Sequence, residues 1–303
     1  MTSILYDAPG PRARRRSVLF SIVGAIVIVG GLIALIAALA APRISANGVE
    51  TPGMFDASRW DIFLDVAVWR FIGEGVLATL RMAAVAAVFA IIIGILFSFG
   101  RAAARAWIRV PVSVLLEFFR GMPVLLMILF TLLVFGVAPF WAGVSALAVY
   151  NGAIIGEALR AGIQSLPKGQ REAGLSIGLT PLATRFRIEF PQAFRQMLPI
   201  ILAQLVVLLK DTALAYIVGY PELLRTTTQY IANSVGNRYF FSLFFVALAI
   251  YLAMNLTLSW FARFVARRTG PKLGAVAPDA DKTIGLEGTQ AITMQRPTDR
   301  SGR

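Results

Sequence analysis

Six long apolar runs constrain this chain before anything else does. They cover residues 18–41, 71–99, 111–135, 140–155, 197–220 and 239–264, and the fourth is the weakest. A helix needs about 20 apolar residues to cross the hydrocarbon of a bilayer. Runs of this length, in a 303-residue chain that is 57% hydrophobic with a mean hydropathy of +0.73, predict an all-α membrane protein with about six spans. Soluble domains hold their apolar fraction nearer to half.

The chain carries 29 Lys and Arg against 16 Asp and Glu, a net charge of +13 that could suit nucleic acid. Its distribution suits a membrane instead. With the N-terminus inside, 17 basic residues near the run ends fall on the inner side, in groups around Arg12–Arg16, Arg101–Arg109, Arg160–Arg195 and Arg263–Lys272. Five fall outside: Arg43, Arg59, Arg70, Arg225 and Arg238. This bias sets orientation. It predicts cytoplasmic N- and C-termini, with lipid and not nucleic acid as the surroundings. There is no Cys and no His, which excludes disulfides, thiol nucleophiles, imidazole bases and the usual zinc sites. No catalytic residue and no metal site is expected.

Residues 1–17 read as a short basic cytoplasmic arm. The first run is 24 residues long, whereas the apolar region of a signal peptide spans roughly 7–15. It is therefore expected to be a retained extra N-terminal helix and not a cleaved leader. Residues 42–70 fall outside. Trp60, Phe63, Leu64, Ala67, Val68 and Phe71 recur there at helical spacing, with Arg59, Asp61 and Asp65 opposite. That pattern predicts an interfacial helix anchored by Trp60 and Trp69. The 71–99 run exceeds the bilayer, so tilt or protrusion is expected. Pro123 removes a backbone donor inside the third run, which predicts a kink or break near residues 120–123. Residues 266–303 are polar and aperiodic and read as a disordered tail.

Between the fourth and fifth runs lies a polar island, residues 157–191, reading EALRAGIQSLPKGQREAGLSIGLTPLATRFRIEFP. Pro167-Lys168-Gly169 forms a turn. A short helix follows over 170–179, with Ala173, Gly174 and Ile177 on one face and Arg171 and Glu172 on the other. Gly178 suits its C-terminal end. Thr180 and Pro181 suit the N-cap and first position of a second helix, which Pro191 is expected to end. The small residues would let a partner approach closely; a plain solvated connector is the alternative.

The spans also hold Arg81, Glu117, Arg120, Glu157, Lys210 and Asp211. A charge at mid-bilayer costs about 2.5–3.5 kcal/mol on insertion scales. Glu117 and Arg120 are three apart, as are Glu157 and Arg160, so each pair shares a helical face. Both pairs read as structural or gating. Arg81 and Lys210 each lie about ten residues from the outer end of their span. Two cations around one cavity would suit a carboxylate-bearing solute, and Asp211 could bind an amino group. A snorkelling Arg81 and a structural Lys–Asp turn are the plainer readings.

Glu172-Ala173-Gly174, then Gly178, Ile188 and Phe190-Pro191, resembles the EAA signature of ABC importer permease subunits. That pattern runs Glu-Ala-Ala, three residues, Gly, nine residues, Ile, one residue, Leu-Pro. Here Gly174 replaces the second Ala and Phe190 replaces Leu. Gly costs a helix up to about 1 kcal/mol relative to Ala, so a looser helix is expected. Residues 157–170, Glu117-Phe-Phe-Arg120-Gly-Met-Pro123 and Leu209-Lys210-Asp211-Thr212 are similar to the polar-amino-acid branch, most of all to glutamate importer permeases of actinobacteria. The resemblance covers 71–265, with a coupling loop at 160–193.

The resemblance implies a five-helix type I importer core plus one N-terminal helix, in a bacterial plasma membrane. It implies a second permease subunit (a heterodimer is expected), an ATPase dimer and an extracellular binding protein. The cargo implied is a polar amino acid, glutamate or glutamine first. Coupling to the ATPase falls to Gln170, Glu172, Ala173, Gly174, Gly178, Thr180 and Pro181. ATP and Mg are expected in the partner and no cofactor or enzyme activity here. A phosphate loop ends in Gly-Lys-Ser/Thr, and of Lys168, Lys210, Lys272 and Lys282 only Lys282 precedes a Thr, with Asp281 in place of Gly. An ion-coupled secondary transporter and a non-transporting scaffold are the rival readings.

Overall fold

Proline opens the first helix and proline follows its last turn. In the computed structural model, which describes residues 10–44 and 50–269, helix α1 covers Pro11–Ala40 with Pro11 in its first turn. A missing N–H costs nothing there, and Pro42 disfavours helix in the residue before it. Arg12–Arg16 therefore belong to α1, and the expected basic arm is helical from Pro11; its first nine residues lie outside the described ones. No residue of α1 is buried.

Beyond α1, Arg43–Ile44 (β1) and Glu50–Thr51 (β2) form a small antiparallel ribbon. The expected interfacial helix is divided. Ala57–Arg59 and Asp61–Leu64 are separate 3-10 turns, and Asp65 accepts a hydrogen bond from the Ala67 N–H at 2.8 Å to start α2 (Val66–Arg101). A carboxylate at an N-cap forces the chain out of helical geometry, so the apolar spacing across it belongs to two elements. Arg59 turns inward, 8% exposed, and donates to the carbonyls of Pro52 and Arg238. At about 1.5 Å per residue the 36 residues of α2 span about 54 Å, well past a bilayer core of about 30 Å.

The expected kink in the third run is a full break. Helices α3 (Ala106–Gly121) and α4 (Val124–Phe135) meet at 106°. Met122 is extended, as a residue before proline prefers, and Pro123 caps α4. Among the described residues five helices are long and apolar enough to cross a membrane, or six counting the bent pair as one span.

Helix α5 (Pro139–Gln164) explains why its run looked weak. It is the centre of the bundle, and 67% of its most apolar window is buried. Its small residues lower hydropathy but admit α2: a Cβ on Gly152 would lie 2.8 Å from Ile93, and one on Gly156 2.8 Å from Phe97. Small contact residues are how helices approach closely in lipid. Asn151, fully buried, donates to the Leu147 carbonyl and accepts from Gln204 of a later helix at 2.8 Å.

After α6 (Lys168–Ser176) the chain is helical from Pro181 to Asp211: α7 (Pro181–Thr184), a π turn at Arg185–Glu189 and α8 (Phe190–Asp211). Pro191 does not end the second island helix. The wide π turn lets it take a first-turn position of α8, where no donor is needed. A 3-10 turn (Thr212–Tyr216) leads to a folded-in segment of α9 (Leu223–Arg225), a π turn (Thr226–Ile231) and α10 (Ala232–Val235). Leu223 lies so close over α2 that a Cβ on Gly75 would be 3.0 Å from its Cα. Helix α11 (Phe240–Thr269) closes the bundle, so 266–269 of the expected tail are helical and 270–303 lie outside the described residues. One apolar core joins α2, α4, α5 and α8; a second joins the ends of α2 and α11 to the folded-in segment.

Candidate functional site

The bundle has a basic end, where α2, α5 and α11 finish, and α6 stands on it. Pro167 precedes α6, and the helix runs Lys168–Ser176 instead of 170–179. Its stop is local chemistry. Gly178 takes φ +84°, the Gly178 N–H bonds the Leu175 carbonyl at 3.0 Å, and the Leu179 N–H bonds the Gly174 carbonyl at 3.2 Å. This is a Schellman ending, which needs a left-handed residue after the cap. Thr180 Oγ1 then accepts the Ala183 N–H at 3.2 Å, with Pro181 in the first turn of α7.

Gly174 is the one buried residue of α6. A Cβ there would lie 2.5 Å from Thr184 Cγ2 and 2.9 Å from Ile188 Cδ1. Gly174 therefore faces this chain's own α7 and π turn, not a partner. Its absent side chain fixes where α6 sits instead of loosening it. Gln170, Glu172 and Ala173 are exposed, and Gln170 Oε1 accepts from Gln192 of α8 at 3.2 Å. Leu175, Ile177, Leu182 and Phe186 are 40%, 75%, 68% and 61% exposed. These four form an apolar patch beside the charged residues of α6.

The island is tied to the bundle by groups that spacing did not reveal. Phe186 and Phe190 pack on Phe99 of α2 at 5.7 and 5.3 Å between ring centres. Arg185 donates to the Ala102 carbonyl and sits 3.5 Å from Glu189. Gly174, Thr184 and Ile188 join α6 to α7 and the π turn, and the Phe186 and Phe190 rings join that segment and α8 to Phe99 of α2.

Both expected charge pairs form, and a third residue joins them. Arg160 meets Glu157 at 2.5 Å and Arg120 meets Glu117 at 3.4 Å. Arg101, at the end of α2, pairs with Glu157 and lies 3.4 Å from Glu117. The network clamps α2, α3 and α5 together. The sequence signal for Arg101 was only its place among the inner basic residues.

Arg81 is exposed, with its guanidinium 5.3 Å from the ring centre of Phe140 in the first turn of α5. Phe140 packs on Tyr220 at 5.7 Å, and the Tyr220 hydroxyl donates to the Ala78 carbonyl at 3.0 Å. Lys210 and Asp211 are the last residues of α8, where a cation is favoured by the helix dipole. Among the described residues no hydrogen bond or ion pair joins Arg81 to Lys210 or Asp211. The sequence reading also missed Glu222. Fully buried, it caps α9 through the Leu224 and Arg225 N–H groups and accepts from the Tyr251 hydroxyl at 2.5 Å. No group of three or more acidic, His or Cys side chains able to hold a metal occurs among the described residues.

The described residues form a bundle of long apolar helices with one sharply bent pair and a short amphipathic helix packed on its basic end, the architecture of a multi-pass membrane protein. Residues 86–271 match the family described as binding-protein-dependent transport system inner membrane component, and the chain belongs to that family. It is 36% identical over 225 residues to the glutamate transport system permease protein GluD of Corynebacterium glutamicum, covering 71% of this chain and 81% of that protein. It is 35% identical over 198 residues to a probable glutamine ABC transporter permease protein of Bacillus subtilis, covering 64% and 91%. An amino acid ABC transporter solved with histidines aligns at a TM-score of 0.60 and 32% identity, over 67% of this chain and 96% of that one. The MetNI methionine transporter shares the fold at a TM-score of 0.57 and 21% identity, over 68% and 99%. The chain is a permease subunit of the polar-amino-acid ABC importers, a multi-pass membrane protein that works with an ATPase partner.

Proposed function

We propose that this chain moves glutamate or glutamine into a bacterial cell as one half of a permease heterodimer. An ATPase dimer docks on the basic end and an extracellular binding protein on the other. The observation that carries this reading is α6, solvent-exposed on its outer side and keyed through Gly174 onto the helix that becomes α8. The excess of Lys and Arg at that end supports placing it, and both termini, in the cytoplasm. The glutamate and glutamine relatives support the cargo. ATP and Mg belong to the partner, and α6 passes its closure to the spans. The test is the co-purified complex in proteoliposomes. ATPase activity stimulated by glutamate or glutamine within an amino-acid panel is expected. Uptake that collapses with an ionophore while ATP is held constant would replace this reading with ion coupling.

Two substitutions probe the parts. Charge reversal at Glu172, or a bulky residue at Gly178 where φ is +84°, should uncouple ATP hydrolysis from uptake or prevent docking. Normal assembly and uptake in both variants would show that α6 is not the coupling element. Arg81→Gln should weaken uptake of acidic amino acids about tenfold, the scale of one charge-assisted hydrogen bond, and neutral ones little. Equal losses on glutamate and glutamine would assign Arg81 to anchoring on Phe140.

A further inference from the structure

Beside the coupling segment the basic end holds a cavity of about 270 Å3, lined by Arg101, Arg109, Arg160, Arg185, Ser113 and Gln164 among others. Four guanidinium groups converge on it. The acids available do not balance them. Arg101 and Arg160 share the single carboxylate of Glu157, Arg185 lies 3.5 Å from Glu189, and Glu117 is divided between Arg101 and Arg120. The Arg109 side chain makes no hydrogen bond or ion pair among the described residues, and its backbone N–H bonds the Arg105 carbonyl at 3.1 Å. Arg185 Nε is buried and faces Glu189 Oε2 at 3.5 Å, too long for a good hydrogen bond. Each guanidinium offers five N–H donors in a planar fork, and Ser113 adds a hydroxyl one helical turn from Arg109.

We propose that this cavity binds a phosphate group, whether of a phospholipid headgroup or of a soluble phosphate. Converging guanidinium forks are the side-chain arrangement that recognises phosphate oxygens. The cavity lies where α2 ends, α3 begins and α5 ends. That is headgroup depth, with Trp107 69% exposed two residues from Arg109. Basic pockets between membrane helices on the cytoplasmic side take anionic headgroups. Arg185 belongs to the π turn that continues from the coupling segment, so an occupant would bridge that segment to α2 and α3. Transport would then respond to the phosphate source as well as to ATP. The proposal uses the cytoplasmic placement of the basic end, but its binding readout does not depend on which solute is carried.

The experiment uses the assembled importer in nanodiscs. Native mass spectrometry counts phosphatidylglycerol retained from phosphatidylcholine–phosphatidylglycerol mixtures, at constant ionic strength. Arg109→Gln should weaken retention about fivefold, the contribution of one basic residue near an anionic surface. Arg109→Lys should stay close to wild type, and Arg195→Gln, an exposed charge outside the cavity, should change nothing. A second arm adds inorganic phosphate to the importer in phosphatidylcholine alone and reads thermal stability. Stabilisation of wild type but not of Arg109→Gln assigns the site to a soluble phosphate. Equal phosphatidylglycerol retention in Arg109→Gln and Arg195→Gln, with equal phosphate effects on both, would overturn the proposal and leave only diffuse surface charge.

Discussion

Replacing Gly174 with Val is expected to abolish uptake and to leave the ATPase subunit undocked while the membrane bundle still folds. The first added carbon already falls 2.5 Å from Thr184 Cγ2 and 2.9 Å from Ile188 Cδ1. Overpacking of this kind costs about 1–3 kcal/mol where a core can adjust. Here the cheaper adjustment is to lift α6 away. Isolated helices shorter than about 12–15 residues are marginal in water, and α6 has nine. Its position therefore comes from the Gly174 contact, the Gln170–Gln192 hydrogen bond and its Schellman ending, and Val removes the first. Gly174→Ala, which restores the residue of the signature, should also impair docking. Adding Thr184→Ala should recover most of the loss, because it removes the atom the new methyl strikes. Co-purification of the ATPase and substrate-stimulated ATPase activity read both effects. Wild-type docking by Gly174→Val, or no coupling between Gly174→Ala and Thr184→Ala in the double-mutant cycle, would show that the contact does not set the position of α6.

The contrast between Gly174 and Gly178 shows what the sequence could tell. Gly178 acts over four residues, through its own φ and the carbonyls just behind it, so a capping rule finds it. Gly174 acts on Thr184 and Ile188, ten and fourteen residues on and across a turn, and read alone it looked like a helix weakener. The same division runs through the fold. The spans were legible because lipid demands apolar length. The break at Pro123 and the caps at Thr180 and Pro181 were legible because proline and threonine act locally. The weak fourth run was in truth the centre, since glycine and alanine lower hydropathy where helices pack most closely. Pro191 was misplaced because a π turn, which has no sequence rule of comparable strength, removed the need for its donor. The outer helix expected from the spacing of Trp60 to Phe71 divides because Asp65, placed on its polar face, caps the next helix instead. Glu157 with Arg160 was readable at three-residue spacing, but Arg101 meets Glu157 across 56 positions, and only the packing of α2 on α5 joins them.

Removing the Glu157 carboxylate should therefore cost far more than removing that of Glu117, although both are one acid in one network. Glu157 is 24% exposed and holds Arg101 and Arg160, themselves 19% and 25% exposed. Glu117 is 56% exposed and meets both its partners at 3.4 Å. Breaking a buried pair by deleting one member costs about 3–5 kcal/mol, because the other charge is left without compensation. Exposed pairs are worth about 0.2–1 kcal/mol. With partial solvent access, Glu157→Ala should destabilise the bundle by about 3 kcal/mol, near the lower end of the first range, and Glu117→Ala by under about 1 kcal/mol. Thermal unfolding of the assembled importer in nanodiscs checks the order. Glu157→Gln decides what the clamp is for, since it keeps the shape and removes the charge. If α2, α3 and α5 are simply fastened there, Glu157→Gln loses stability and uptake together, with the ATP hydrolysed per molecule imported unchanged. If the clamp opens and closes during transport, Glu157→Gln raises ATP hydrolysis without substrate, because the resting state is no longer held shut. Basal ATPase activity measured at a temperature where the variant remains folded separates the two.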